Sequence, residues 1–486
     1  MMQSMKLRFT ETNQGGLHIH MVGIKGVGMT ALAEILVQKG AHLTGSDTKE
    51  KFFTDEILAS IGVPVTEEFS EDSITSELDL VIYSAAYSTQ TNPELIEAER
   101  LSIPVLSYPE ALGQLSSLQF SAGVCGVHGK TTTTAMAGVC MEAAGIPAMV
   151  LVGSAVPDFG NRATRFLGGK YFVAETCEYR RHFLHFCPRV LVCTSVETDH
   201  VDYFKDYADI RDAFVEYAML LPENGKFIYC ADDDGSLSVA RILEKKRPDI
   251  KQIPYGFSAR GKFAIVGSRM ENGKNVFMLE GFETKFSISL PGSHMVLDAA
   301  AAIALTWILA EEEGKNLDSA MAQAIAARLE CFKSTRRRYE IIGEAGGILF
   351  MDDYAHHPTA IRKTLDGIRE FYPDRRIIVD FMSHTYSRTR YMLTDFAASF
   401  EKADLVILHK IYASAREKND YEICGEDLFR ETSAVHHSVK FFKEVMDAEG
   451  YCEKELKAGD LFITMGAGDN WKLSHELFSY FKRSGK

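Results

Sequence analysis

Residues 123–134 read GVCGVHGKTTTT, an apolar stretch that runs into Gly126, His128, Gly129, Lys130, Thr131 and Thr132. Small residues let backbone N–H groups approach phosphate oxygens, and a helix that follows adds partial positive charge at its N-terminus. Lys130 can reach the β- and γ-phosphates of a nucleoside triphosphate, and Thr131 can offer its hydroxyl to Mg2+. The common spacing of glycine, four residues, then Gly-Lys-Ser/Thr is not met, because Val124 stands five positions before Gly129. The competing reading is a capped helix start whose threonines satisfy backbone N–H groups. The strand–loop–helix context favours the nucleotide.

Two later strand ends add metal chemistry. Glu175 closes the run YFVAE, and His200 follows RVLVCTSVETD. Mg2+ takes hard ligands and keeps waters, so one carboxylate, one hydroxyl and phosphate oxygens suffice. Thr131, Glu175 and His200 are therefore the candidate metal ligands. Taken singly, Glu175 reads as a solvated acid and His200 as an interior histidine.

A second glycine loop lies near the start of the chain. In GIKGVGM, Gly23, Gly26 and Gly28 follow a strand and open a helix, and Asp47 ends the next strand. Glycines at a helix N-terminus accommodate a pyrophosphate, with the acid available for a ribose. NAD is an open alternative for this loop. Towards the C-terminus, Asp352-Asp353-Tyr354-Ala355-His356-His357-Pro358 and His384-Thr385-Tyr386-Ser387-Arg388 end neighbouring strands. The Arg388 guanidinium suits a carboxylate bidentately, and His356 is the candidate base for an amine. His357 reads equally as the cap of the helix that Pro358 opens.

The elements that must position these groups alternate. LHIHMVG, AHLTGSD, VPVTEE and LDLVIYSAA are separated by helical patterns, as are FSAGVCG, KYFVAE, RVLVCTSV and KFIYC in a second block. After Pro254 the pattern turns antiparallel, with KFAIVGS, NVFMLEG and TKFSISLPG, before an alanine-rich helix from about Met295 to Glu313. A third block carries GGILFMDDYAHHPT, RRIIVDFMSHT, ADLVILHKIYAS and DLFITMGAGD. Such alternation predicts parallel sheets with right-handed crossovers, and ligands bind at the carboxyl ends of their strands.

At 486 residues the chain has room for about three domains. A net charge of −14 argues against non-specific nucleic-acid binding, so any anionic substrate must be met by local cations. No apolar run reads as long enough to span a membrane, and no signal peptide is evident. Membrane insertion is not expected. Nine cysteines, an odd number with no Cys-x-x-Cys pair, suit reduced thiols and a cytoplasmic setting.

The set GVHGKTTTT, EYRRHFL, DHVDYF, DDYAHHPT and HTYSRT resembles the Mur ligase family over essentially the whole chain. Such ligases are ATP-dependent amide-forming enzymes of peptidoglycan precursor synthesis in which the shortened glycine loop is the rule. The resemblance implies an α/β chain of three domains: a Rossmann-like UDP-binding domain at 1–117, a central P-loop-type ATPase domain with a mixed sheet at 118–331, and a Rossmann-like amino-acid domain at 332–486. It implies ATP and Mg2+, UDP-N-acetylmuramate and L-alanine as substrates, and a monomer or homodimer. Ser84 and His384 would contact substrate, and His294, Arg337 and Asp353 would lie on the nucleotide side. A ligase of the family that adds a recycled tripeptide, and a non-catalytic paralogue, are the alternatives. The chain departs from the family pattern at Lys25, where glycine is usual, and at Met295 and Asp298, where asparagines are usual. Met382-Ser383 stands where Gln-Pro is common, and Thr385 where many members have arginine. A negative φ at Lys25 would keep the first loop intact.

Overall fold

Strand β1 (His18–Val22) is buried at four of its five positions, as a strand covered on both faces must be. It lies at the centre of a parallel sheet with β2 (His42–Ser46), β3 (Val65–Thr66), β4 (Leu80–Tyr83) and β5 (Val105–Ser107), in the order β3-β2-β1-β4-β5. The order reverses beside β1, which opens a crevice at its carboxyl end, where the first glycine loop leaves. The computed structural model describes residues 16–413, 417 and 422–484. Ser414, the last residue of the run ADLVILHKIYAS in the third block, is among the residues outside that description.

The second sheet is built the same way around β6 (Phe120–Cys125). Its neighbours are β9 (Tyr171–Glu175) on one side and β10 (Val190–Cys193) on the other, both parallel to it. Beyond them lie β7 (Ala148–Val156), the antiparallel β8 (Arg162–Phe166), β11 (Lys226–Cys230) and β12 (Lys251–Gly256). β13 (Phe263–Glu271), β14 (Lys274–Leu279) and β15 (Lys285–Ile288) pair antiparallel, as the pattern after Pro254 predicts.

The third sheet runs β16-β17-β21-β18-β19-β20, from β16 (Glu340–Ala345), β17 (Ile348–Asp353), β18 (Arg376–Met382), β19 (Leu405–Leu408), β20 (Val439–Phe441) and β21 (Asp460–Gly466). β16 is its antiparallel edge, and the other pairings are parallel. The helix Pro358–Phe371 starts where its proline lacks an N–H to satisfy, with His357 as N-cap accepting from the Thr359 N–H. Its apolar side buries Ile361, Leu365 and Ile368.

One expectation needs correction. The helix Ser293–Glu312 is long and apolar enough to cross a membrane by length and composition, contrary to the sequence reading. Since 83% of its most apolar window is buried inside the structure, the run is explained by a helix enclosed on nearly all sides.

The described residues form two compact units. The first contains residues up to Ser195 with 212–254 and 301–321; the second contains 196–211, 255–300 and the residues from Ala322 onward.

Candidate functional site

In the first unit, β6 ends at Cys125 and the chain turns through Gly126, whose φ is 143°. A Cβ there would collide with the Thr194 hydroxyl, so glycine is required twice over. The Val127 and His128 N–H groups donate to the Ser195 carbonyl and Ser195 Oγ, each at 2.9 Å, which ties the loop to the end of β10. Gly129, with φ 81°, caps the helix Lys130–Ala143. Thr132 is buried within that helix.

Two contacts organise the loop's chemistry. Thr131 Oγ1 donates to Glu175 Oε1 at 2.9 Å, and the Gly153 N–H donates to Glu175 Oε2 at 2.6 Å. Lys130 Nζ is held by Glu178 at 2.9 Å and by the Gly126 and Val127 carbonyls. Burial opposes the lysine's charge, but the Glu178 carboxylate outweighs it and holds the ammonium above its ordinary pKa. Lys130 is therefore charged, and Glu178, itself buried, is its counter-ion. Glu178 was not among the expected site residues, although it opens the quoted run EYRRHFL. Thr131 and Glu175 supply a hydroxyl and a carboxylate side by side, a donor set that fits Mg2+.

The first glycine loop is built differently. Gly23 has φ 78° and packs beneath the Tyr87 ring. Gly26 caps the helix Val27–Gln38, and Gly28 packs beneath the Tyr108 ring. Asp47 is buried, accepting from the Lys25 N–H at 2.7 Å and the Thr48 N–H at 2.8 Å. Ser84 Oγ accepts from the Ala86 N–H at 3.4 Å. Positive φ falls on Gly23 and not on Lys25, so the lysine is accommodated without strain. Its ammonium turns inward to the Thr48 and Glu50 carbonyls and to Asp55 and Glu67.

In the second unit Arg388 is buried and donates through Nε and Nη2 to Asp199 Oδ1, at 3.0 and 2.7 Å, and through Nη1 to the His384 carbonyl at 2.7 Å. Burial would raise the Asp199 pKa, but Arg388 overrides it and keeps the carboxylate well below its usual range. Asp199, adjacent to the expected His200, is a second residue that the sequence reading passed over. His200 has φ 50°, and its Nε2 lies 3.9 Å from Asp199 Oδ2. His356 Nδ1 faces the Tyr354 carbonyl at 2.7 Å, so that nitrogen carries the proton and Nε2 is left with its lone pair. Burial and then the Arg388 charge hold this imidazole well below its ordinary pKa, hence neutral. His384 stacks on Tyr412 with ring centroids 5.9 Å apart.

The other expected nucleotide-side residues brace the backbone. Asp353 accepts from the Tyr339 and Ala355 N–H groups, both at 2.8 Å, and burial lifts its pKa. Arg337 donates to Asp352 at 2.9 Å and to the Gly466 carbonyl at 2.8 Å. His294 Nε2 lies 3.2 Å from the Tyr339 hydroxyl. Met295 and Asp298 are both buried. Deeper in the sheet, His409 Nε2 meets Asp380 at 2.7 Å and Nδ1 meets the Phe442 carbonyl at 2.9 Å; Asn470 completes the group on Asp380 at 2.9 Å. Both imidazole nitrogens face acceptors, so His409 is an imidazolium. Burial opposes that charge, but Asp380 raises the pKa above its ordinary value.

Parallel sheets with two glycine-loop helix starts, one bearing lysine, threonine and a facing carboxylate, define an α/β nucleotide-using enzyme. The chain belongs to the Mur ligase family. Models of that family's catalytic, middle and glutamate ligase domains match residues 18–120, 124–306 and 337–468. The chain is 50% identical over 467 residues to the UDP-N-acetylmuramate–L-alanine ligase of Treponema pallidum, covering 96% of this chain and 97% of the relative. The enzyme of the same name from Borreliella burgdorferi is 39% identical over 472 residues, covering 96% and 99%. Among solved structures, the UDP-N-acetylmuramate–alanine ligase of Thermotoga maritima superposes with a TM-score of 0.77 at 23% identity, over 96% of this chain and all of that one. A murein peptide ligase from Psychrobacter arcticus gives 0.67 at 24% identity, over 96% and 99%. These likenesses establish the three-domain α/β fold.

Proposed function

We propose that the chain joins L-alanine to the lactyl carboxylate of UDP-N-acetylmuramate, consuming ATP and releasing ADP and phosphate, in peptidoglycan precursor synthesis. The observation that carries the reading is the 50% identity, along nearly the whole chain, to a relative named for that reaction. The curated relatives favour alanine over a recycled tripeptide. A nicotinamide reading would use the first glycine loop and leave Lys130, Thr131 and Glu175 without work.

A carboxylate resists attack by an amine because its charge opposes nucleophilic addition. Transfer of the ATP γ-phosphate to the lactyl oxygen gives an acyl phosphate and ADP. The alanine amine then adds to the acyl carbon, and the tetrahedral intermediate expels phosphate. The first step brings anion against anion, so the Lys130 charge must neutralise the γ-phosphate, exchanging Glu178 for phosphate oxygens. Thr131 and Glu175 would hold Mg2+, whose bound charge supplies further neutralisation, and His200 is the proposed metal ligand of the second unit. Gly126, His128, Gly129 and Thr132 shape the triphosphate loop, while His294, Arg337 and Asp353 are assigned to the nucleotide. Gly23, Gly26 and Gly28 would cradle the UDP diphosphate, with Asp47 and Ser84 bracing that loop. His356 Nε2 would take the amine's proton, and Arg388, held by Asp199 beside His384, would meet the alanine carboxylate.

The proposed domain boundaries are 117/118 and 331/332; the second falls in the gap between the middle and glutamate ligase matches, whereas the first match runs on to residue 120. The nine cysteines are free thiols, which supports a cytoplasmic setting. The test is phosphate release with ATP, Mg2+, UDP-N-acetylmuramate and single amino acids or the tripeptide. Release with alanine is expected; release only with the tripeptide, or none, would overturn the reading.

A further inference from the structure

Tyr108 is not part of either glycine loop, yet it stands by both. It is the first residue of the helix Tyr108–Ser117, whose start is fixed by a capping box in which Glu110 accepts from the Ser107 N–H at 2.8 Å and the Ser107 hydroxyl at 2.6 Å. A Cβ placed on Gly28 would lie 3.0 Å from both Cζ and Oη of Tyr108. The phenol thus covers the second residue of the helix whose N-terminus forms the first phosphate cradle. The far end of the tyrosine's own helix packs on a neighbouring segment of the same unit. Gly113 packs against the His185 carbonyl, and the Cys187 N–H donates to Ser116 Oγ at 2.9 Å, on the segment that follows Glu178.

We infer that Tyr108 is a substrate-positioning residue: its hydroxyl donates a hydrogen bond to the nucleotide sugar between the diphosphate and the reacting carboxylate. The inference rests on the proposed function. That substrate must keep its diphosphate at Gly26–Gly28 while its carboxylate reaches the γ-phosphate beside Lys130 and Glu175, so its sugar passes the phenol. The phenol lies within electrostatic reach of the Glu175 carboxylate, and a tyrosine hydroxyl is a neutral O–H donor at physiological pH. Tyr108 as a whole is only partly buried.

Tyr108→Phe keeps the ring packed on Gly28 and removes the donor alone. Loss of one such hydrogen bond corresponds to about 10-fold at most for a neutral pair. The expected result is a KM for UDP-N-acetylmuramate raised about 5- to 10-fold, unchanged KM values for ATP and alanine, an unchanged Tm, and UDP alone bound as tightly as by the wild type. A purely structural tyrosine would leave the KM for the nucleotide sugar at its wild-type value, and that result would overturn the inference. Equal weakening of UDP would overturn it too, by moving the contact to the diphosphate. A wild type that binds UDP-N-acetylmuramate without alanine-dependent phosphate release would overturn the proposed reaction instead. In that case calorimetric titration of UDP-N-acetylmuramate and UDP into wild type and Tyr108→Phe still decides the role of Tyr108.

Discussion

The two glycine loops of the first unit share a plan and use their lysines in opposite ways. Each leaves a strand flanked by parallel neighbours on both sides, turns through a glycine at positive φ and opens a helix. In the first, the Lys25 side chain is 1% exposed and spends its donors on Thr48, Glu50, Asp55 and Glu67. In the second, the Lys130 side chain is 13% exposed and answers mainly to one buried carboxylate, Glu178. The first lysine serves the loop's shape and leaves phosphate to backbone N–H groups and helix charge. The second holds a charge that a phosphate can take over. A glycine loop therefore does not declare its chemistry; the direction in which its cation points does.

Substitutions can break this contrast. The largest effect is expected for Lys130→Ala, with kcat lowered by about 10^3-fold because the developing phosphate charge loses its nearest cation. Steady-state phosphate release measures it, and activity within 10-fold of wild type would place Lys130 with Lys25 as a structural residue. Glu175→Ala should lower kcat about 10^2-fold and raise the Mg2+ concentration needed for half-maximal rate, read from a Mg2+ titration. Lys25→Met should act on shape alone: a KM for UDP-N-acetylmuramate raised a few-fold, kcat and the KM for ATP unchanged, and a Tm lower by about 3 °C.

His409 sharpens the contrast from the other unit, since its charge is also turned wholly inward. Its side chain and that of Asp380 are both 0% exposed. Because the folded-state pKa is raised, the pair's contribution is fully present below the ordinary histidine value of about 6.5 and is lost as pH rises through the higher folded value. Wild-type Tm should therefore fall on the alkaline side of neutrality. His409→Asn should remove that dependence while leaving kcat within about 2-fold at pH 7. An alkaline limb that persisted in the variant would assign it to another group.

Much of this was legible because strand ends can be read from apolar runs. Lys130, Thr131 and Glu175 each follow such a run, and parallel pairing of β6 with β9 brings them together. Glu178 was not legible. It lies three residues past Glu175, in a segment where Arg180 and Arg181 adopt left-handed backbone, so no periodicity tells which way its side chain points. Asp199 was hidden by its neighbour: a histidine after a strand invites a metal reading, while an aspartate paired to Arg388, distant in sequence, leaves no local mark. The helix Ser293–Glu312 misled in the opposite sense, since enclosure by protein and by lipid select the same residues. The inward turn of Lys25 was beyond spacing arguments, although its negative φ followed from what a lysine tolerates.

The central claim is that the lysine-bearing loop lets a carboxylate oxygen take a phosphoryl group before the amine arrives. UDP-N-acetylmuramate carrying 18O in its lactyl carboxylate tests this directly, with the released phosphate weighed by mass spectrometry. The account predicts one labelled oxygen in each phosphate formed during alanine-dependent turnover. Phosphate free of label, alongside full product yield, would contradict it.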